Sequence, residues 1–269
     1  MVDYDGLTVN KLAKVHEFDM LQTMRWDDVG GCSIYPNLFS FHDRNLLTNI
    51  PGTTKSVGTP VFIMEEESSC CCRLCCETCQ PMTLKLYHAD PNVIAGVACC
   101  GKYPAGHKYS KDPANPIPIA SFDRPGCGTK MLGAGCPVFC ACCQDEVFMF
   151  PGNKAGEPGT LWKEGGYIAT SVQPICGGGC TPTLELSDGD QQAAPYAYIE
   201  GPTCFGGCKD LCCRTPFLIS SQKGKSGDIG SIIKKTPEGA MEMCCAVCSD
   251  VDGYEISVNS ISPRSSHLI

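Results

Sequence analysis

The cysteines of this chain fall in tight packets, and that arrangement limits what the chain can build more than any other feature. Cys70-Cys71-Cys72, Cys75-Cys76 and Cys79 form one packet, and Cys136, Cys140, Cys142 and Cys143 a second. Cys204, Cys208 and Cys212-Cys213 form a third, Cys244-Cys245 and Cys248 a fourth. Adjacent cysteines make poor disulfide partners, because a disulfide needs set Cα spacing and Cβ directions. The count of 23 is odd, which excludes complete pairing within one chain. The opening Met1-Val2-Asp3-Tyr4-Asp5 has neither the basic nor the apolar region of a secretory signal. The expectation is a reducing compartment, where thiols stay free.

Three chemistries remain open for free thiols in such packets. Vicinal cysteines suit S-acylation beside a membrane, and stable anchoring takes two acyl chains or one chain with a second signal. Cys72-x₂-Cys75, Cys76-x₂-Cys79, Cys140-x₂-Cys143 and Cys245-x₂-Cys248 also have the spacing of zinc ligands. The plainest reading makes these residues small hydrophobes packed in turns.

A unit recurs around the packets: a short strand, a cysteine-bearing connection, a second strand. Pro60–Met64 and Met82–Tyr87 flank the first packet, and Ile117–Phe122 and Glu146–Phe150 flank the second. Gly166–Val172 and Thr183–Leu186 flank the sparse pair Cys176 and Cys180. Pro195–Ile199 with Phe217–Ser220, and Ile229–Ile233 with Tyr254–Val258, complete five copies. Leu84/Leu86, Leu184/Leu186 and Tyr254/Ile256/Val258 alternate with polar residues, the mark of a strand with one buried face. With 29 Gly and 20 Pro spread along 269 residues, short strands are favoured over long helices. An all-β closed antiparallel barrel is expected, since closure removes the edges that a repeated sheet would expose.

Before Pro60, the spacing of Leu12, Val15, Phe18, Leu21 and Met24 predicts a short amphipathic helix within Leu7–Met24. Residues 32–60 read as loop with one strand, Leu38–His42. The expected organisation is therefore an N-terminal segment over 1–59, a barrel domain over 60–260 and a short polar tail over 261–269. Cys99–Asn115 and Pro151–Gly159 read as loop insertions. No apolar stretch of about 18 residues is present, so no transmembrane helix is expected. The formal net charge is −8 with no basic block, so nucleic acid is not an expected partner. The five histidines share no catalytic or ligand spacing, and no nucleophile motif or phosphate loop occurs. No enzyme activity is expected.

Several stretches, in order, resemble the phospholipid scramblase family over about Pro60 to Ser260. They are Val61-Phe62-Ile63-Met64-Glu65-Glu66 ahead of the first packet, Pro81-Met82-Thr83-Leu84, and Phe122-Asp123-Arg124-Pro125 ahead of the second packet. Gly201-Pro202 ahead of Cys204 and Ser249-Asp250-Val251-Asp252-Gly253-Tyr254-Glu255-Ile256 complete the set. The resemblance implies a Tubby-like barrel of about twelve strands around a central apolar helix, held at the cytosolic face of the plasma membrane. It implies energy-independent, calcium-stimulated movement of phospholipids between leaflets. Palmitate would sit on Cys136, Cys140, Cys142 and Cys143, and Asp250 and Asp252 would begin the calcium segment. Read as an EF-type loop from Asp250, the twelfth position is Ile261, not the bidentate acid such a loop needs. Asp252-Gly253 is equally an ordinary hairpin turn. The apolar helix that follows in the family has no counterpart before Ile269. The alternative is a membrane-tethered adaptor, acylated or zinc-stapled, without transport.

Overall fold

The computed structural model describes residues 16–22, 37–49, 56–68, 81–90, 111–126, 145–174, 182–189, 194–202, 213–236 and 253–259. They form twelve strands: β1 (Glu17–Gln22), β2 (Leu38–Asn49), β3 (Ser56–Ser68), β4 (Met82–His88), β5 (Ala120–Arg124) and β6 (Glu146–Pro151). Then follow β7 (Ala169–Val172), β8 (Thr183–Asp188), β9 (Ala197–Glu200), β10 (Thr215–Ser220), β11 (Gly230–Lys234) and β12 (Gly253–Val258). Every strand pairs antiparallel with its neighbours in sequence, and β1 pairs with β12 to close the ring. The chain is thus an all-β, closed, twelve-stranded up-and-down barrel. Its only described helix is a 3₁₀ turn at Leu161–Glu164.

The five sequence units are the hairpins β3–β4, β5–β6, β7–β8, β9–β10 and β11–β12. The expectation for the first 59 residues is corrected. Glu17–Gln22 is a strand rather than part of a helix, because Phe18 and Met20 face one way while Asp19 and Leu21 face the other. Beyond Leu38–His42, β2 runs on to Asn49, with register shifts at Phe41/His42 and Asp43/Leu47 that bend it. Among the described residues the barrel begins at Glu17, not Pro60, because β1 supplies the edge onto which β12 closes.

Residues opposite each other in antiparallel strands share a face, and the registers trace one apolar face around the ring. Phe18 lies opposite Ile256, Ile256 opposite Ile232, Ile232 opposite Phe217, and Ile219 opposite Ile199. Leu184 and Leu186 continue it through Ser171 and Ala169 to Met149, then Phe122, Leu84 and Leu86. Met64, Phe62, Phe41 and Met20 bring it back to β1.

Two observations assign this face to the lumen. Outside the irregular, exposed stretch 44–47 of β2, every described strand residue on it is buried or half-buried, whereas Glu67, Pro216 and Leu218, exposed within their strands, lie on the opposite face. The connection 152–168 covers that opposite face with Lys163 and Glu164 turned to solvent, as on an outer wall. The expected buried face is therefore real but half-open: Leu84, Leu86, Leu184, Leu186, Ile256 and Val258 are half-buried, while Thr83, Tyr87, Thr183 and Ser187 on the outer wall are buried.

The outer wall carries many charged residues, and on β6 it also carries an apolar cluster. Phe148 and Phe150 of β6 are 1% exposed beneath Leu161, Trp162 and Tyr167. Trp162 stacks on Phe148 with ring centroids 5.8 Å apart, and Tyr167 meets Phe148 edge-on at 5.0 Å. Burying such side chains stabilises by about 1.5–3 kcal/mol each. Asp123 anchors the covering chain: it accepts from Gly159 N at 2.7 Å, Trp162 N at 3.2 Å and Thr83 Oγ1 at 3.1 Å. Burial pushes the Asp123 carboxyl up, and those donors pull it back. Gly159 sits at φ +78° against Pro81, where a side chain would collide with the proline ring.

The seam where β12 meets β1 carries an outer ionic cluster. Lys235 Nζ lies 2.8 Å from Asp19 Oδ1, Arg44 bridges Asp19 and Glu255 at 3.7 and 3.8 Å, and Arg214 pairs with Glu255.

Candidate functional site

In an up-and-down barrel all odd-to-even connections leave and re-enter at one end. Those six connections join β1 to β2, β3 to β4, β5 to β6, β7 to β8, β9 to β10 and β11 to β12. They contain every cysteine of the 23 except Cys99 and Cys100, which belong to the β4–β5 connection at the other end. The repeated unit thus translates into position: one end of the barrel is the root of nearly all the thiols.

Cys136, Cys140, Cys142 and Cys143 lie outside the described residues, as do Asp250 and Asp252. Their connections are nevertheless fixed at both strand ends. The first four belong to the chain between Arg124 of β5 and Glu146 of β6, and the two aspartates to the chain between Lys234 of β11 and Gly253 of β12. Both connections are rooted at the cysteine-bearing end. Cys213, the one described cysteine, is there too: exposed, free, and two residues ahead of β10.

The stretches that resemble the scramblase family gather at the same end where they are described. Glu65-Glu66 approach the close of β3, Met82-Thr83 open β4, Phe122–Pro125 end β5, Gly201-Pro202 follow β9, and Gly253-Tyr254 open β12.

Polar groups at this end hold the strand termini in place. Glu66, 3% exposed, accepts from Asn37 Nδ2 at 2.6 Å and from Asn37 N at 3.2 Å, while Glu66 N donates to Asn37 O at 2.9 Å. Gln22 Nε2 donates to Asn37 Oδ1 at 2.9 Å, which ties β1, β2 and β3 together. Arg124 Nε donates to Asp145 Oδ1 at 2.7 Å and clamps the two sides of the connection that holds Cys136–Cys143.

Among the described residues no group of three or more His, Cys, Asp or Glu could hold a metal ion. His42 is 2% exposed, with Nδ1 2.9 Å from Gly58 O and Nε2 3.1 Å from Ser40 Oγ, an embedded outer-wall residue. Among the described residues no helix is long and apolar enough to cross a membrane. The outer wall presents Glu17, Asp19, Glu65, Glu67, Lys85, Glu185 and Glu255, several as ion pairs such as Lys85–Glu67 at 2.9 Å and Lys111–Glu65 at 2.7 Å. A lipid-facing barrel wall is apolar instead, because charge at bilayer depth is costly.

Comparison with protein-family models, curated proteins and solved structures finds no match.

Proposed function

We propose that this protein is a scramblase-like barrel held at the cytosolic face of the plasma membrane by S-acylated cysteines, and that it promotes energy-independent movement of phospholipids between leaflets. The observation that carries the reading is the gathering of all thiols but Cys99 and Cys100 into connections rooted at one end. That end would face the bilayer. Cys136, Cys140, Cys142 and Cys143 would take palmitate, and two chains suffice for stable attachment. These six connections hold no run of Lys and Arg, so attachment would rest on acyl chains rather than on attraction to anionic lipid. Asp250 and Asp252 would supply calcium ligands at the same end, beside the leaflet, in a ligand-poor and therefore weak site. Zinc on the Cys-x₂-Cys pairs is the competing use of these thiols.

The charged outer wall favours a second reading, an acylated adaptor that docks on the membrane without moving lipid. One experiment separates the two. The protein is placed in vesicles with a labelled phospholipid, with and without calcium. Transport that rises with calcium and falls in Asp250→Ala/Asp252→Ala supports the scramblase reading. Stable acyl-dependent attachment with no transport leaves the adaptor, and no acyl-dependent attachment removes both.

A further inference from the structure

We infer that the barrel lumen binds the long aliphatic chain of a fatty acid or lipid. The middle of the lumen is apolar on every side: Phe41, Leu86, Phe122, Leu186, Phe217 and Ile232 belong to one continuous face, and each is half-buried, so its surface remains open. Barrels of eight strands are filled by their own side chains or hold one small ligand; twelve strands enclose a wider space. Six residues of strand span about 20 Å, the reach of a long acyl chain.

Two details select an aliphatic chain. All four described methionines, Met20, Met64, Met82 and Met149, lie on the lumen face. Methionine is the adaptable apolar side chain favoured at surfaces that accept flexible partners. Among the described residues, charged side chains on the lumen face stand near the mouths. Asp43, Asp188 and His88 are at one end, and Arg124 and Lys234 join the hydrogen-bonded Glu66 at the cysteine end. Apolar walls with few polar groups at the opening are the pattern of a ligand site.

This site does not depend on membrane attachment, and the test uses full-length protein stripped of lipid and treated with hydroxylamine. The fluorescent C18 polyene cis-parinaric acid is titrated in. Saturable binding is expected, with displacement by palmitate or by lysophosphatidic acid naming the source of the chain. Leu186→Trp and Ile232→Trp, which fill the lumen, should each weaken binding at least tenfold. Leu218→Trp, one position along β10 but on the outer wall, should leave it within twofold. Circular dichroism and thermal melting confirm that each variant is folded. Absence of saturable binding by folded wild-type protein overturns the inference, as would happen if a segment of this chain occupies the lumen. Binding that Leu186→Trp and Ile232→Trp leave intact, or that Leu218→Trp weakens equally, overturns it as well.

Discussion

The Asp123 carboxylate of β5 accepts the backbone N–H of Gly159 at 2.7 Å, and through that bond the connection 152–168 is held against the outer wall. Trp162 N and Thr83 Oγ1 donate to the same carboxylate. Asp123→Asn keeps the size but turns an NH₂ toward one of these donors, and stranding a buried donor costs about 1–3 kcal/mol. Urea unfolding should show a loss in that range, and limited proteolysis should cut the variant earlier within 152–168. A variant as stable as the parent contradicts the role given to this carboxylate.

Leu161 is the plug of the same patch, 1% exposed beside Phe148 and Phe150. Leu161→Ala should cost about 2–5 kcal/mol, the range for buried leucines. The neighbouring exposed Lys163→Ala should change stability by no more than about 0.5 kcal/mol. Equal effects at the two positions would mean that the 3₁₀ turn is not packed as described.

Burial holds His42 below its ordinary value near 6.5, against an upward pull from Gly58 O and Asp19. In the unfolded chain His42 takes a proton that the folded chain resists, so stability is full above about pH 6.5 and falls as the pH drops below it. Urea midpoints from pH 8 to 5 should decline more steeply for the parent than for His42→Gln. Parallel curves would remove His42 as a cause.

The two ends of the barrel should differ in modification. Acyl exchange with hydroxylamine should label thiols of the odd-to-even connections. Changing Cys136, Cys140, Cys142 and Cys143 to Ser should shift the protein from membrane to soluble fractions. Changing Cys99 and Cys100 to Ser should leave fractionation unchanged. Labelling that survives the fourfold change at full strength would move the anchor to another packet.

Much of the barrel is legible in the sequence, and the reason is local. Within each unit the strands alternate, as in Leu84-Lys85-Leu86 and Tyr254-Glu255-Ile256-Ser257-Val258, and Gly and Pro bound them. Glu17–Gln22 is read as helix because Val15, Phe18, Leu21 and Met24 mimic a helical stripe, while the strand depends on non-local pairing with β12 and β2. Asp123 as an anchor is invisible in sequence, because Gly159 and Trp162 lie more than thirty residues away and meet it only after β5 and β6 pair. The candidate thiols are legible as packets, but their common end emerges only from strand order. One sign was present: each packet falls inside a unit, and consecutive hairpins of an up-and-down barrel turn at the same end.

The orientation of the barrel on the membrane tests the account most directly. Hydrogen exchange is measured on the acylated protein bound to phospholipid vesicles and again after release with hydroxylamine. The account predicts added protection at the cysteine-bearing end, read at Gly201, Arg214, Lys235 and Gly253, and no change at the opposite end, read at Ser221, Gly224 and Gly227. Protection at Ser221–Gly227 with none at Gly201 or Lys235 would contradict it.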